Sequence, residues 1–272
     1  MQMNDVLYSG DNLEVLNTLE SESVQMVYID PPFNTGEIQS IARRKTVTDA
    51  DGNRHVTFET ALSYEDTFDN YWSFLLPRLE EAWRLLKPSG TLYLHLDYRE
   101  VHYARVVLDS VFGRSSFLNE IIWAYDYGGK SKSKWPTKHD NILVYVKTPG
   151  AYFFDSSSVD REPYMAPGLA GKEKAARGKL PTDVWWHTIV PTQGSERTGY
   201  PTQKPEGILR RMIQASTQEG DTVLDFFAGS GTTAAVAQKL DRRFITIDQN
   251  PESIAICEDR LGIKAVSLSS AA

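Results

Sequence analysis

The run Val24-Gln25-Met26-Val27-Tyr28-Ile29 stops abruptly at Asp30-Pro31-Pro32-Phe33. A nearly unbroken apolar run of this length is the pattern of a strand buried on both faces, inside a sheet covered by helices. Two prolines directly after it cannot donate ladder hydrogen bonds, so the strand must end there in a stiff, exposed corner. That corner carries a carboxylate, the proline carbonyls and an aromatic ring. An amino group on a flat ring needs hydrogen-bond acceptors and a stacking face, and the corner offers both. A plain proline turn leading into a loop fits the same four residues, so they do not decide the matter alone.

The rest of the chain alternates strand and helix patterns. Val6-Leu7-Tyr8 reads as a short strand and 11–19 as an amphipathic helix. Residues 34–68 lack a clear period and read as a long mobile loop, of the kind that is usually functional or disordered. Trp72, Leu75, Leu76, Leu79, Ala82, Trp83 and Leu86 share one face of a helix over 69–86, which Lys87-Pro88-Ser89-Gly90 ends. A strand follows at 91–96, a helix at 98–112, and strands at 121–123 and 142–146. Between 148 and 200 Gly, Pro, Ser, Lys and aromatics dominate, which marks a small separate subregion. Regularity resumes with a helix at 205–216, a strand at 222–226, a helix at 232–240, a strand at 244–247 and a helix at 251–261. Asn250 starts that last helix with Pro251 in its first turn. This alternation predicts an α/β fold with a mostly parallel sheet and helices on both faces. The Ser/Ala tail at 267–272 is expected to fray.

A second motif, Asp225-Phe226-Phe227-Ala228-Gly229-Ser230-Gly231-Thr232-Thr233, lies between a predicted strand and a predicted helix. Gly229 and Gly231 remove side chains that would keep a ligand from the backbone at the positive end of the helix. The motif has no lysine, which excludes a nucleotide-triphosphate loop. Asp225 at the strand end is placed to receive a ligand ammonium group, and Asp248, about twenty residues on, to bind ribose hydroxyls. Together they describe a site for a nucleoside-bearing cofactor. A dehydrogenase cofactor is the rival, but the glycine spacing departs from what a pyrophosphate requires.

Composition narrows the classes. The chain has 272 residues, enough for one large α/β domain, and a net charge of −7, which disfavours a surface coated in nucleic acid but leaves room for a local basic face. The single cysteine, Cys257, excludes a disulfide framework and a cysteine-based metal site and reads as a packed helix residue. The five histidines lie far apart, so no metal is expected. No apolar stretch reaches transmembrane length and Met1-Gln2-Met3-Asn4-Asp5 is no secretory signal, so a cytoplasmic location with no membrane association is the expectation.

With both motifs in hand, the chain closely resembles the β class of DNA amino-methyltransferases, in which the catalytic motif precedes the cofactor motif and target recognition lies between. Ser9-Gly10-Asp11-Asn12, His95-Leu96-Asp97, Asn119-Glu120-Ile121-Ile122-Trp123, Lys138-His139-Asp140 and Gly199-Tyr200-Pro201-Thr202-Gln203-Lys204-Pro205 also match. The resemblance implies a Rossmann-like S-adenosylmethionine-dependent fold with circularly permuted motif order. It makes 1–147 the catalytic half, 148–200 a target-recognition insertion and 201–272 the cofactor half. S-adenosylmethionine is then the methyl donor and S-adenosylhomocysteine the product. Asp225, Phe226, Phe227, Ala228, Gly229, Ser230 and Gly231 would line the cofactor, Asp248 would take the ribose, and Thr202 and Lys204 would hold the cofactor carboxylate. Asp11 matches the acid that meets the cofactor's adenine amino group, although an Asp there is equally suited to cap a helix.

The same resemblance implies a mechanism and partners. Asp30 and the Pro31 carbonyl would accept the N–H bonds of an exocyclic amine while Phe33 stacks on the base and Pro32 stiffens the corner. A base inside double-stranded DNA must be flipped out to reach it. The segment 128–138 contains Lys130, Lys132, Lys134 and Lys138 and no acid, and suits phosphate contact. His95 and Asp97 are expected at the same sheet edge, as pocket or DNA contacts. Arg161, Lys172, Lys174, Arg177 and Lys179 are candidates for contact with phosphate or guanine. Relatives that methylate cytosine at N4 usually carry serine where Asp30 stands, so adenine N6 is the expected target. N4-cytosine transfer, RNA or a small molecule as methyl acceptor, and a non-catalytic DNA-binding module are the alternatives. A homodimer and a cognate restriction enzyme are further partners the resemblance suggests.

Overall fold

The computed structural model describes residues 5–34, 37–48, 54–66 and 70–268. Its central element is an eight-stranded sheet in the order β1-β10-β9-β2-β5-β7-β6-β8. The strands are β1 (Val6–Ser9), β2 (Val24–Ile29), β5 (Leu86–Leu96), β6 (Phe117–Ala124), β7 (His139–Val146), β8 (Val184–Trp186), β9 (Thr222–Asp225) and β10 (Arg243–Asp248). Strands β1, β10, β9, β2 and β5 are mutually parallel, β7 is antiparallel to both β5 and β6, and β8 is parallel to β6.

β2 shows why the sheet must be covered on both sides. Its six residues are all buried, yet they alternate between two cores. Val27 and Ile29 face a cluster with Val15, Leu16, Leu75, Leu79 and Ala104, drawn from α1 (Asn12–Thr18), α2 (Tyr71–Leu85) and α3 (Val101–Leu108). Met26 and Tyr28 face a second cluster with Ile208, Met212, Ala234, Ala237, Ile254 and Cys257. These come from α6 (Glu206–Ser216), α7 (Thr232–Lys239) and α8 (Pro251–Leu261). Fully burying one such aliphatic side chain contributes about 1.5–3 kcal/mol. The two-sided cover follows from period-2 geometry acting on a strand without polar alternation.

Two regions differ from expectation. The stretch read as an aperiodic loop contains an antiparallel pair, β3 (Glu37–Thr48) and β4 (Arg54–Asp66), separate from the main sheet. A register shift between Ile41 and Ala42 interrupts its pairing, and such a shift breaks the alternation by which a strand is recognised. Residues 49–53, the Asp69 start of the second helix and the tail at 269–272 lie outside the described residues. The region 148–200 is joined to the sheet rather than separate from it. It carries α4 (Pro167–Ala170), α5 (Lys172–Arg177) and the three-residue strand β8, which pairs with β6 through Trp123↔Trp185. Val159, Trp185 and Val190 in this region are buried.

Because β1, β10, β9, β2 and β5 run the same way, their carboxyl ends share one sheet edge. Ser9, Asp248, Asp225, Ile29 and Leu96 close those strands. A crevice at such an edge is where open α/β sheets bind ligands.

Candidate active site

A cavity of about 550 Å³ opens at this edge. Its wall includes Asn12, Tyr28, Asp30, Pro32, Arg78, Thr202, Lys204, Asp225, Ala228, Gly229, Ser230 and Asp248. The two sequence motifs, almost 200 residues apart along the chain, are therefore neighbours across one space. The link runs through the sheet: β2 ends in the Asp30 corner, and β9 beside it ends in the glycine loop.

The glycine loop is held by its neighbours. Gly231 stands at the N-cap of α7 with φ of +69°, and no side chain caps that helix. A Cβ on Gly231 would lie 2.9 Å from Cys257 Sγ, and one on Gly229 would lie 3.1 Å from the Tyr200 ring. The Gly229 carbonyl accepts from Ser253 Oγ and Cys257 Sγ, and the Ser230 carbonyl accepts from Arg260 Nη1 at 3.0 Å. The carbonyls are thus turned into the protein, and the α7 N-terminus is left uncapped by side chains. Cys257 is a packed thiol, as expected, and burial pushes its pKa up to about 12.

The acids on the far wall are desolvated. Asp225 is 4% exposed, accepts from Phe227 N at 3.0 Å, and is pushed up to about 7, first by burial and further by the charges of Asp30 and Asp248. Burial also raises Asp248, whose carboxylate accepts from Gly229 N at 2.8 Å and Asn250 N at 2.9 Å. Asp248 also lines the cavity, where a carboxylate can accept from a ligand hydroxyl. A buried, high-pKa carboxyl facing a cavity is suited to a cationic ligand group that would draw it into its ionised form. The cradle therefore fits a ligand with both an ammonium end and ribose hydroxyls.

The Asp30 corner closes the other wall. Asp30 Oδ2 is ion-paired with Lys204 Nζ, while Oδ1 is buried without a hydrogen-bond partner among the described residues. Pro31 is buried, Pro32 lines the cavity, and the Phe33 ring lies 6.0 Å from His95 and 5.2 Å from Lys204 Nζ. Thr202 lines the cavity. Lys204 lines it too, with its ammonium on Asp30.

Several residues sit elsewhere than the sequence suggested. Asp11 is not on the cavity wall; it caps α1 through Leu13 N at 2.8 Å and Glu14 N at 3.2 Å, and pairs with Arg78 at 2.9 Å. Arg78 also donates to Asn12, which donates to the Phe226 carbonyl at 2.7 Å, so Asp11 braces two wall residues from off the cavity. Phe226 is fully buried in the core, whereas Phe227 reaches the cavity. His95 is fully buried and contacts neither solvent nor the cavity. It joins Tyr28 Oη at 2.8 Å to Asp140 Oδ2 at 3.3 Å, and Tyr125 Oη donates to Asp140 Oδ1 at 3.0 Å. Burial works to raise Asp140, but the His95 hydrogen bond and charge, the Lys204 charge and the Tyr125 hydrogen bond together outweigh it and hold the carboxyl low. Asp97 is buried against Arg99. No local pattern marked Arg78 or Tyr28 as wall residues, because each occupies an ordinary position in its own helix or strand.

The basic segment joins β6 to β7 at the same edge and is tied shut at its base by Tyr125 N to the Lys138 carbonyl at 3.0 Å. Lys130, Lys132 and Lys134 are exposed, and Trp135 is 94% exposed. Lys138 differs: its ammonium donates to the carbonyls of Tyr127 and Gly128 and clamps the loop. In the 148–200 region Lys172, Lys174 and Arg177 are exposed, whereas Arg161 bonds the Ser156 carbonyl and Lys179 pairs with Glu162.

Comparison with known proteins identifies the family. A family model described as DNA methylase, of the N6/N4 methyltransferases, matches residues 24–259. Type II methyltransferase M.HpaI of Haemophilus parainfluenzae is 34% identical over 262 residues, covering 95% of this chain and 74% of that protein. DNA adenine methyltransferase YhdJ of Escherichia coli (strain K12) is 29% identical, covering 93% and 81%. Among solved structures, the M1.HpyAVI–SAM complex aligns with a TM-score of 0.62 at 20% identity, covering 95% of this chain and 99% of that one. The cytosine-N4-specific PvuII DNA methyltransferase aligns with a TM-score of 0.66 at 19% identity, covering 96% and 87%. The chain belongs to the N6/N4 family of S-adenosylmethionine-dependent DNA amino-methyltransferases.

Proposed function

We propose that this protein methylates the N6 amino group of an adenine flipped out of double-stranded DNA. The observation that carries this reading is Asp30 Oδ1, a buried carboxylate oxygen with no hydrogen-bond partner among the described residues, at the cavity wall. A buried acceptor left unpaired is unfavourable, so it suits a donor that arrives with the substrate. Asp30 Oδ1 and the Pro31 carbonyl accept the two amine N–H bonds, which turns the nitrogen lone pair toward the glycine-loop side of the cavity. S-adenosylmethionine supplies an electrophilic methyl on a sulfonium. Asp225 takes the ligand's ammonium group, Asp248 its ribose and the uncapped start of α7 its oxygens. Phe33 stacks on the base. Much of the acceleration then comes from orientation, which can contribute roughly 7–11 kcal/mol.

Adenine is favoured because Asp rather than Ser occupies position 30, and because one similar protein is described as a DNA adenine methyltransferase. N4-cytosine is the second reading, favoured by the family's covering both amines. Lys130, Lys132 and Lys134 supply phosphate contacts beside the corner, and the exposed basic residues of 148–200 carry part of target recognition. Nucleoside analysis of duplex DNA treated with enzyme and methyl donor tests the assignment. N6-methyladenine is expected; N4-methylcytosine alone overturns it in favour of the second reading.

A further inference from the structure

The family resemblance gives Lys204 to the cofactor carboxylate, but its ammonium is turned to the catalytic corner. It pairs with Asp30 Oδ2, and the two side chains are only 11% and 16% exposed. The nearby carboxylate of Asp140 feels the Lys204 charge, but the ion pair is made to Asp30, while Tyr125 and His95 bond the two Asp140 oxygens. Nor is Lys204 a mobile surface lysine: its carbonyl accepts from Thr232 Oγ1 at 3.2 Å, and Pro205 directly after it starts α6. Its ammonium also lies over the Phe33 ring. One side chain therefore touches both the acceptor and the stacking member of the catalytic corner.

A carboxylate turns about a single terminal torsion, so pinning Oδ2 fixes the direction of Oδ1. Oδ1 is the oxygen left buried and unpaired. We propose that Lys204 is a positioning residue for Asp30, holding Oδ2 so that Oδ1 meets the incoming amine, rather than the anchor of the cofactor carboxylate. This rests on reading the corner as the amine site. During transfer the amine lone pair forms the N–C bond, and the bond from methyl to sulfur breaks with its electrons left on sulfur. One N–H proton passes to Oδ1 and then to water. Lys204 neither gains nor loses a proton in this sequence.

The two roles separate when binding and chemistry are measured apart. For Lys204→Met, the single-turnover methylation rate at saturating cofactor and DNA is expected to fall about 100-fold, the scale of a small misplacement of a reacting group. The Kd for S-adenosylhomocysteine, by calorimetry, is expected to stay within about threefold of wild type. Lys204→Arg, or ethylamine added to Lys204→Ala, is expected to restore part of the rate. A loss of cofactor affinity equal to or larger than the loss of saturated rate overturns the proposal and returns Lys204 to the carboxylate. An unchanged saturated rate overturns it as well. Should Lys204→Met fail to fold by circular dichroism, the same two measurements on Lys204→Gln decide. Wild-type protein that transfers no methyl group to any DNA undermines the reading of the corner itself, a separate outcome from a Lys204 variant that behaves like wild type.

Discussion

The hydroxyl of Tyr28 lies 2.8 Å from Nδ1 of His95, directly beneath the corner formed by Asp30 to Phe33. Tyr28 lines the cavity, while His95 is fully buried and held on its other nitrogen by Asp140. Replacing His95 by Ala removes the partner of Tyr28 Oη and of Asp140 Oδ2, while Tyr125 still bonds Asp140 Oδ1, and leaves a void beside Phe33 and Trp123. Each orphaned group costs about 1–3 kcal/mol, so His95→Ala is expected to destabilise the protein by several kcal/mol. Denaturant unfolding measures this; a midpoint equal to wild type would show that the buried chain contributes nothing to stability.

Gly231→Ala tests the cradle. The new methyl group meets Cys257 Sγ at 2.9 Å, on a backbone with φ of +69° that favours glycine. Overpacking of this kind costs about 1–3 kcal/mol. Both melting temperature and affinity for S-adenosylhomocysteine are expected to drop, and Gly231→Ala combined with Cys257→Ala is expected to recover part of the loss. No recovery in the double variant points to backbone strain alone.

Asp225 is expected to make cofactor binding pH-dependent. Burial lifts its pKa from 3.8 to about 7 in the ligand-free protein. The folded state therefore keeps a proton that the unfolded state releases. Between about pH 4 and 7 the unfolded chain binds fewer protons, so this group makes stability fall as pH rises, and its effect levels off above 7. A ligand ammonium favours the ionised form, so affinity for S-adenosylhomocysteine is expected to rise with pH and reach a plateau above about 7. Calorimetry near pH 6 in buffers of different ionisation enthalpy is expected to show proton release on binding, absent in Asp225→Asn. Proton uptake instead would remove Asp225 from this role.

The loop lysines are expected to act through charge alone. Replacing Lys130, Lys132 and Lys134 together by Ala is expected to weaken DNA binding on every sequence. It should flatten the dependence of log K on log salt by about 1 per lost phosphate contact. Lys138→Ala is expected to behave differently, loosening the loop it clamps through the Tyr127 and Gly128 carbonyls with a smaller change in salt slope. Identical slopes for the triple variant and wild type would place the DNA elsewhere.

The site was legible where a local pattern carries chemistry by itself. Asp30-Pro31-Pro32-Phe33 must end a strand, and the spacing of Gly229 and Gly231 before a helix must leave backbone open to a ligand. The β3–β4 pair was hidden because its register shift breaks the period of 2. β8 was hidden because three residues carry no period at all. Asp11 was ambiguous because capping a helix and binding an amine use the same carboxylate. Its pairing with Arg78, 67 residues away, places it behind the cavity wall.

By itself the sequence determined the alternation of strands and helices, the ends of β2 and β9, and the chemistry offered at each end, since these depend on residues within a few positions of one another. The tertiary structure decided which of those groups meet. Lys204 reaches Asp30 across 174 residues, and His95 joins Tyr28 to Asp140, because parallel strands bring their carboxyl ends to one edge. A side chain's partner is set by strand order and register, which no local pattern encodes.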